Sequence, residues 1–341
     1  MKRFLIFLAF TLSLLSLVSC GGEQNCEHSF ISSVTKEPIC IEVGEQLYTC
    51  SKCEYSYTEA IAANHNIENG FCTECKLPES TPGLKYSKNA DGTYTVTGIG
   101  DCQETSISIG IYEDSYVTSI GNYAFEYCTR LTSVTIGNSV TSIGEYAFWN
   151  CTSLKSVTIP NSVKSIGECA FRDCTSLTSV TIPDSVTSIG DAAFYDCTSL
   201  TSVTIGNSVT RIGNWAFYGC NSLTSVTIGN SVTSIGSSAF RGCTSLASVT
   251  IPNSVTTIED YAFGYCRSLT SVTIGNGVTS IGYDAFYRCT SLTSVTFENP
   301  DGWWVASSSD ATSGTSITGL SDASTAAEYL RSNDGYYLRR G

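Results

Sequence analysis

Residues 133–155 read SVTIGNSVTSIGEYAFWNCTSLK, and residues 156–178 read SVTIPNSVKSIGECAFRDCTSLT. This 23-residue unit runs eight times without insertion between Val117 and Phe297, its Ala-Phe pair falling first at Phe125 and last at Phe286. A period this short, with apolar residues at fixed places, marks a solenoid. One coil cannot bury its own Leu, Val, Ile and Phe; only the coils above and below can cover them. Val157 and Ile159, two apart, share one face of a short strand, and Pro160, or Gly137 one coil earlier, ends it. The Ala-Phe-x-x-Cys segment has helical spacing over a single turn. The expected architecture is an α/β solenoid of 23-residue coils. Short parallel strands form one wall and short helical or 3₁₀ turns the other, and a small Cys/His-rich module precedes them.

Some words of the repeat never change and others do. Ser133 and Thr135 should point outward while Val134 points inward, and Ser and Thr hold these outward places through to Ser294 and Thr296. Such rows follow from β-propensity and duplication, or from selection for a flat polar contact face; ice binding is a remote third reading. The places around Ala-Phe vary most and carry aromatics: Tyr127, Trp149, Tyr195, Trp215, Tyr218, Tyr265 and Tyr287 are the candidate binding surface. Aromatic side chains on a variable face suit recognition of protein or glycan. The competing reading is that several only pack over neighbouring coils. Glu259 replaces the Gly that follows Ile in other coils, as at Gly144, so this glycine does not answer a strict need for positive φ.

The flanks divide the rest. Residues 1–19 have a basic start and an apolar run from Phe4 to Val18, which reads as an export signal, with an uncleaved membrane anchor as the rival. The run closes on Leu17-Val18-Ser19-Cys20, which resembles the bacterial lipobox and implies a lipid on Cys20. Residues 20–25 are a tether and 26–76 the Cys/His-rich module. Residues 77–116 form a linker and the solenoid's N-terminal flank, 117–297 the repeats, and 298–341 a cap and tail. Trp303 and Trp304 should cover the last coil, and Ser321-Asp322 should cap a short helix. The formal net charge of −13 disfavours nucleic acid as a partner and leaves the lipid anchor as the only membrane contact. Only two histidines occur, His28 and His65, and none lies in the repeats to activate a serine. An enzyme is not expected.

Of seventeen cysteines, all but Cys20 and Cys102 fall in three groups. Eight, from Cys128 to Cys289, each follow the repeat Phe by three residues and read as small buried side chains stacked on their own kind. Cys169 stands where other coils carry Tyr146, Ala192, Trp215 or Ser238, and this variation predicts an exposed thiol. In the module, Cys50-x-x-Cys53 and Cys72-x-x-Cys75 have the spacing of a zinc ribbon. Cys26, His28, Cys40 and His65 suffice for a second site. The cofactor expected is structural zinc. Three disulfides are the alternative for an exported protein, and a thiol redox role is a weaker one.

The words VTSIGxxAFxxCTSLTSVTIP resemble the BspA-like leucine-rich repeat family of bacterial surface proteins, over roughly Thr93 to Phe297. The resemblance implies an exported lipoprotein held at the cell surface or outer envelope. It also implies adhesion to host matrix proteins or other bacteria without a shared enzymatic activity. A structural spacer without a specific ligand is the main alternative.

Overall fold

The computed structural model describes residues 30–36, 44–50, 56–61, 67–68, 71–72, 78–309, 311–332 and 336–341, those before residue 78 as backbone. They fall into two units, Met1–Asn66 and Ile67–Gly341. In the first, strands Phe30–Lys36, Gly44–Cys50 and Ser56–Ile61 form an antiparallel sheet in that order. In the second, the hairpin of Ile67–Glu68 with Phe71–Cys72 precedes a solenoid.

Each coil contributes one strand to each of two parallel ladders. The long-strand ladder begins at Ser106–Ile109 and Ser133–Ile136 and ends at Ser294–Phe297. The short-strand ladder runs from Tyr94–Gly98 and Ser115–Ile120 through Ser142–Ile143 to Ser280–Ile281. Nine coil strands stand in each ladder among the described residues. Register is strict: Ser133 faces Ser156, Val134 faces Val157, and Ser179 faces Ser202. Val134 and Ile136 are buried and Thr135 is exposed, so the alternation read from the sequence holds. The Ser and Thr rows do line the outside of this wall.

The core is built from columns of identical side chains. The repeat phenylalanines stack with centroids 5.1 Å apart at Phe125–Phe148 and 5.3 Å at Phe263–Phe286, every pair within 11° of parallel. Phe148 through Phe263 have no exposed surface. Beside them run seven buried thiols, each donating to a Phe carbonyl of the preceding coil: Cys151 to Phe125 O at 3.0 Å, Cys197 to Phe171 O at 3.2 Å, Cys289 to Phe263 O at 3.1 Å. The thiol therefore does more than fill space. It is small enough for the column and supplies a second donor to a buried carbonyl.

The Ala-Phe segment differs from a helical turn. Isolated i→i+3 bonds are present, as from Cys128 N to Phe125 O at 3.1 Å, but alternate amides leave the coil: Tyr123, Phe125 and Tyr127 donate to the carbonyls of Glu145, Ala147 and Trp149. The backbone can alternate in this way because two residues per coil are left-handed, for example Tyr123 at φ 59° and Tyr127 at φ 57°, and Trp215 at φ 53° and Gly219 at φ 70°. The segment is a third hydrogen-bonded ladder in place of a row of helical turns.

The glycine after Ile is not left-handed. A Cβ built on Gly167 would lie 2.6 Å from Gly144 C in the preceding coil, so this column exists to let backbones approach. Glu259 places a side chain there, consistent with the sequence reading of φ. Its coil is also where the long-strand ladder parts: Ser225–Thr227 closes a six-stranded sheet and Ser248–Ile251 opens a three-stranded one. At that junction Ala247 N reaches Thr224 O at 3.5 Å, against 2.9 Å from Thr224 N to Thr201 O.

Both ends of the solenoid are covered. Lys85–Lys88 pairs antiparallel with Tyr94–Gly98, and Tyr86 stacks on Tyr112 at 3.9 Å. At the other end Trp303 is buried edge-on against Phe297 at 5.2 Å. The helix Ala323–Ser332 starts at Asp322, whose Oδ1 accepts from Thr325 N at 2.8 Å, the cap expected from the sequence. The Ser324 hydroxyl, donating at 2.7 Å, and then the Thr325 amide pull the carboxyl down to about 2. The chain's final residues are not a loose tail. Tyr337–Arg340 pairs antiparallel with Ser280–Ile281 and with Trp303–Ala306.

Candidate functional site

The left-handed residues decide what the turn wall displays. Their side chains repeat at coil spacing, so the wall is a set of columns like the core. One column runs Tyr123, Tyr146, Cys169, Ala192, Trp215, Ser238, Tyr261 and Asp284, all at positive φ. The neighbouring column includes Trp149, Arg172, Tyr195, Tyr218, Arg241 and Tyr287.

The second column carries close pairs, but Gly264 breaks it between Arg241 and Tyr287. Tyr195 and Tyr218 stack at 4.7 Å and 6°, the Arg172 guanidinium lies 4.6 Å from the Tyr195 centroid, and Arg241 lies 5.1 Å from that of Tyr265 and 4.9 Å from Tyr261. Their ring faces are used on each other, so Tyr195 and Tyr218 present mainly edges to a partner. The first column is interrupted. Tyr123 stacks on Tyr146 at 5.0 Å, but Cys169 and Ala192 are small, and the next large ring is Trp215. A depression of about 490 Å³ opens over the two small residues, bordered by Tyr146 and Trp215 along the column and by Glu168, Asp191, Arg172 and Tyr195 at its sides.

The polar groups there are held in place. Asp191 accepts from Asn214 N at 2.8 Å, with Arg211 3.8 Å away. Arg172 meets Asp173 at 3.3 Å, and Trp149 Nε1 donates to the same carboxylate at 3.0 Å. The Tyr146 hydroxyl and Arg172 both reach the Cys169 thiol. Contact with that thiol pushes the Tyr146 pKa up to about 12, so its hydroxyl stays a neutral donor. Trp215 is 45 % exposed.

Of the seven candidate aromatics, Tyr195, Trp215 and Tyr218 therefore share this depression. Tyr127 and Trp149 form a tilted pair at 4.9 Å, and Tyr265 with Tyr287 an edge-on pair at 5.4 Å, each elsewhere on the wall. Sequence reading missed Glu168, Arg172, Asp191 and Arg241, and also the gap itself. The signal was available in two consecutive small residues within an aromatic column read at the repeat spacing.

The opposite wall offers larger but blander hollows. Depressions of about 710 and 680 Å³ lie against the long strands, lined by Ser, Thr, Val, Ile and Asn with single carboxylates at Asp184 and Glu298. They lack an aromatic anchor, so size alone does not make either the better site.

Cys169 is a correction. It is 2 % exposed, covered by its larger neighbours, and burial raises its pKa. Cys102 and Cys128 are the half-buried thiols of the solenoid, both lining a cavity of about 320 Å³ at its N-terminal end. Cys128 also departs from the buried column, and burial still pushes its pKa up to about 11. The expected zinc ligands Cys26, His28, Cys40, Cys53, His65 and Cys75, and Cys20, the expected lipidation site, lie outside the described residues. Cys50 and Cys72 are placed only as the last residues of strands. Among the described residues no helix is long and apolar enough to cross a membrane.

The repeats match the family described as BspA type leucine rich repeat region, in six copies over residues 101–224 and 210–301, which is more than half of the chain. No curated protein matches. Among solved structures, a leucine-rich repeat protein of T. pallidum is 27% identical, covering 62% of this chain and 90% of its own, with a TM-score of 0.47. A leucine-rich repeat protein from Bacteroides ovatus is 23% identical over 63% and 93%, with a TM-score of 0.29. A leucine rich cell surface protein from Faecalibacterium prausnitzii is 24% identical over 66% and 96%, with a TM-score of 0.28.

Proposed function

The chain belongs to the BspA-type leucine-rich repeat family, and from that premise we propose that it is a non-enzymatic recognition protein that engages protein or glycan through its turn wall. The observation that carries this reading is the depression over Cys169 and Ala192. There an exposed indole, a second aromatic and fixed charged groups converge on a wall whose scaffold is otherwise uniform. Recognition sites favour such anchors, rigid aromatics among preoriented polar groups. The second reading, a spacer, draws on the regularity of the long-strand wall, whose outward Ser and Thr rows repeat from coil to coil.

The test is a binding screen of the full chain against matrix proteins and glycans, repeated with Trp215→Ala and Tyr218→Ala. Binding weakened by either substitution supports recognition by this wall. Binding to nothing in the screen favours the spacer. We also propose export and anchoring by a lipid on Cys20, on the strength of the sequence before it. A Cys20→Ala protein should leave the membrane fraction, and one that stays there would refute the anchor. Zinc in the module of residues 26–76 is a further proposal, resting on the two Cys-x-x-Cys hooks.

A further inference from the structure

The depression on the turn wall has a shape that identifies a class of ligand. Tyr146 and Trp215 are three coils apart in one column, and coils stack at strand spacing, so their backbone positions stand about 14 Å apart. A single flat ring sandwiched at van der Waals contact on both sides needs about 7 Å. The gap therefore admits one or two rings, with a floor of Ala192 and of Cys169 beneath the Tyr146 hydroxyl and Arg172. Tyr123 stacks on one face of Tyr146, Trp149 meets the ring edge-on at 5.5 Å, and the Tyr146 hydroxyl reaches Cys169 at the gap's edge. Trp215 stacks on no other ring among the described residues and is 45 % exposed.

Charge narrows the choice. Glu168 and Asp191 stand against Arg172 and Arg241 around the depression, two carboxylates to two guanidiniums. Among the next charged groups, Asp173 and Asp196 stand near Arg172 and Arg211 beside Asp191, a surplus of one carboxylate that opposes an anionic chain further. An anionic chain would meet the carboxylates and a cationic side chain the guanidiniums, and each like-charge contact opposes binding. A neutral ligand bearing many hydroxyls meets neither penalty. It finds acceptors in the carboxylates, donors in the guanidiniums, and a flat apolar face in Trp215.

We infer that this gap seats one or two neutral pyranose rings of a glycan, with Trp215 as the stacking platform, Tyr146 as the opposing wall, and Glu168, Asp191 and Arg172 as hydrogen-bonding partners. The inference rests on the turn wall being the recognition face and adds the class of ligand and the place where it sits.

The repeat supplies its own blocking substitution. Ala192→Tyr puts into the gap the residue that the same column carries at Tyr146 and Tyr261. Their φ values of 54° and 55° match the 53° of Ala192, so the backbone already accepts it. The full chain would be tested against neutral hexose and N-acetylhexosamine oligosaccharides of two to six units, heparin fragments, polylysine and matrix proteins. Neutral oligosaccharides should bind. Ala192→Tyr and Trp215→Ala should each weaken them by about thirtyfold. Trp215→Phe should retain most of the binding, and Thr135→Ala, exposed on the long-strand wall, should leave it unchanged. Neutral-glycan binding that survives Ala192→Tyr in a folded protein would overturn the assignment of the seat. Binding only of heparin, polylysine or a protein, abolished by Ala192→Tyr, would overturn the sugar class while sustaining the recognition face. A chain that binds none of these probes would refute both.

Discussion

Gly190→Ala tests whether the glycine column sets the distance between coils. A Cβ on Gly190 would lie 2.5 Å from Gly167 C, 2.6 Å from Gly167 O and 2.6 Å from Glu168 N. All three are backbone atoms of the preceding coil, so no rotamer change relieves the contact. Ordinary contact begins at 3.4 Å, so the neighbouring backbone must give by up to the difference, 3.4 − 2.5 = 0.9 Å. Glu259, which carries a Cβ in the same column, shows how: across its junction Glu259 N to Ile235 O holds at 2.9 Å, Thr256 N to Thr233 O at 2.8 Å and Ser238 N to Asp260 O at 2.8 Å, while Ala247 N to Thr224 O stretches to 3.5 Å. The bonds beside Gly190 should likewise survive, and the cost is that of overpacking, about 1–3 kcal/mol. The control is Gly98→Ala, whose Cβ would meet nothing closer than 3.7 Å, and whose effect should stay within about 0.5 kcal/mol. Glu259→Gly is the reverse experiment. Ser237 N keeps its bond to Asn214 Oδ1 at 2.9 Å when the Glu259 carboxylate is removed, and the parted long-strand ladder should close, with a gain of about 1 kcal/mol. Urea unfolding midpoints and m-values of the three variants decide the matter. If Gly190→Ala unfolds at the same midpoint as Gly98→Ala, the reasoning from close approach is wrong.

Phe194→Ala removes one ring from the middle of the aromatic column and should lower stability by about 3–5 kcal/mol in the same assay. A loss under about 1 kcal/mol would mean that the column relaxes into the space. In the folded protein, alkylation at low reagent concentration should label Cys102 and Cys128 before any thiol from Cys151 to Cys289, Cys169 included, because reagents need access as well as thiolate. Early labelling of Cys174 or Cys197 in peptide mass maps would contradict the burial of the column. The segment 26–76, made under reducing conditions, should carry zinc by metal analysis; three disulfides in its mass spectrum and no metal would favour the other framework.

Much of the solenoid was legible because its physics is periodic. Val157 and Ile159 two apart, Pro160 after them and Phe171 in every coil specify strand, strand end and core column without reference to anything distant. Asp322 before a run containing Ala326 and Leu330 was likewise a local signal, and the helix cap is there. What escaped was the handedness of the turn wall. Tyr, Trp and Ala are not residues that announce positive φ, so Tyr123, Trp215 and Ala192 gave no warning. The other left-handed column did give one, since Asn150, Asp173, Asp196, Gly219 and Gly242 are the types that tolerate this region best. Cys169 was misplaced for a related reason. Its position varies, and variation suggests exposure. In a stacked column, however, a small side chain beside large neighbours is shielded by them, and Tyr146 and Arg172 close over the thiol. The pairing of Tyr337–Arg340 with Ser280–Ile281 left no mark in the sequence, because a four-residue strand on a two-residue one has no periodicity to read.

The column logic also says how such a wall acquires a site. When every coil is alike, each side chain is covered by its copy, and aromatic faces are spent on one another, as in Tyr195–Tyr218 and Tyr123–Tyr146. Adding another large residue extends the stack and exposes only another edge. Removing one, or two in succession, uncovers two faces at once and sets them a whole number of coils apart. The gap between Tyr146 and Trp215 is of this kind: its width follows from the repeat, and its floor from Cys169 and Ala192 being small. A substitution that shortens the gap by one coil, Ala192→Tyr, therefore changes the distance between the facing walls in a step of about 4.8 Å. Ligands should respond in the same stepwise way. Cys169→Tyr, which narrows the gap from the other end, should discriminate against the longer of two oligosaccharides while still admitting a single ring. Equal loss of both would mean that Trp215 alone, and not the spacing of two walls, determines what binds.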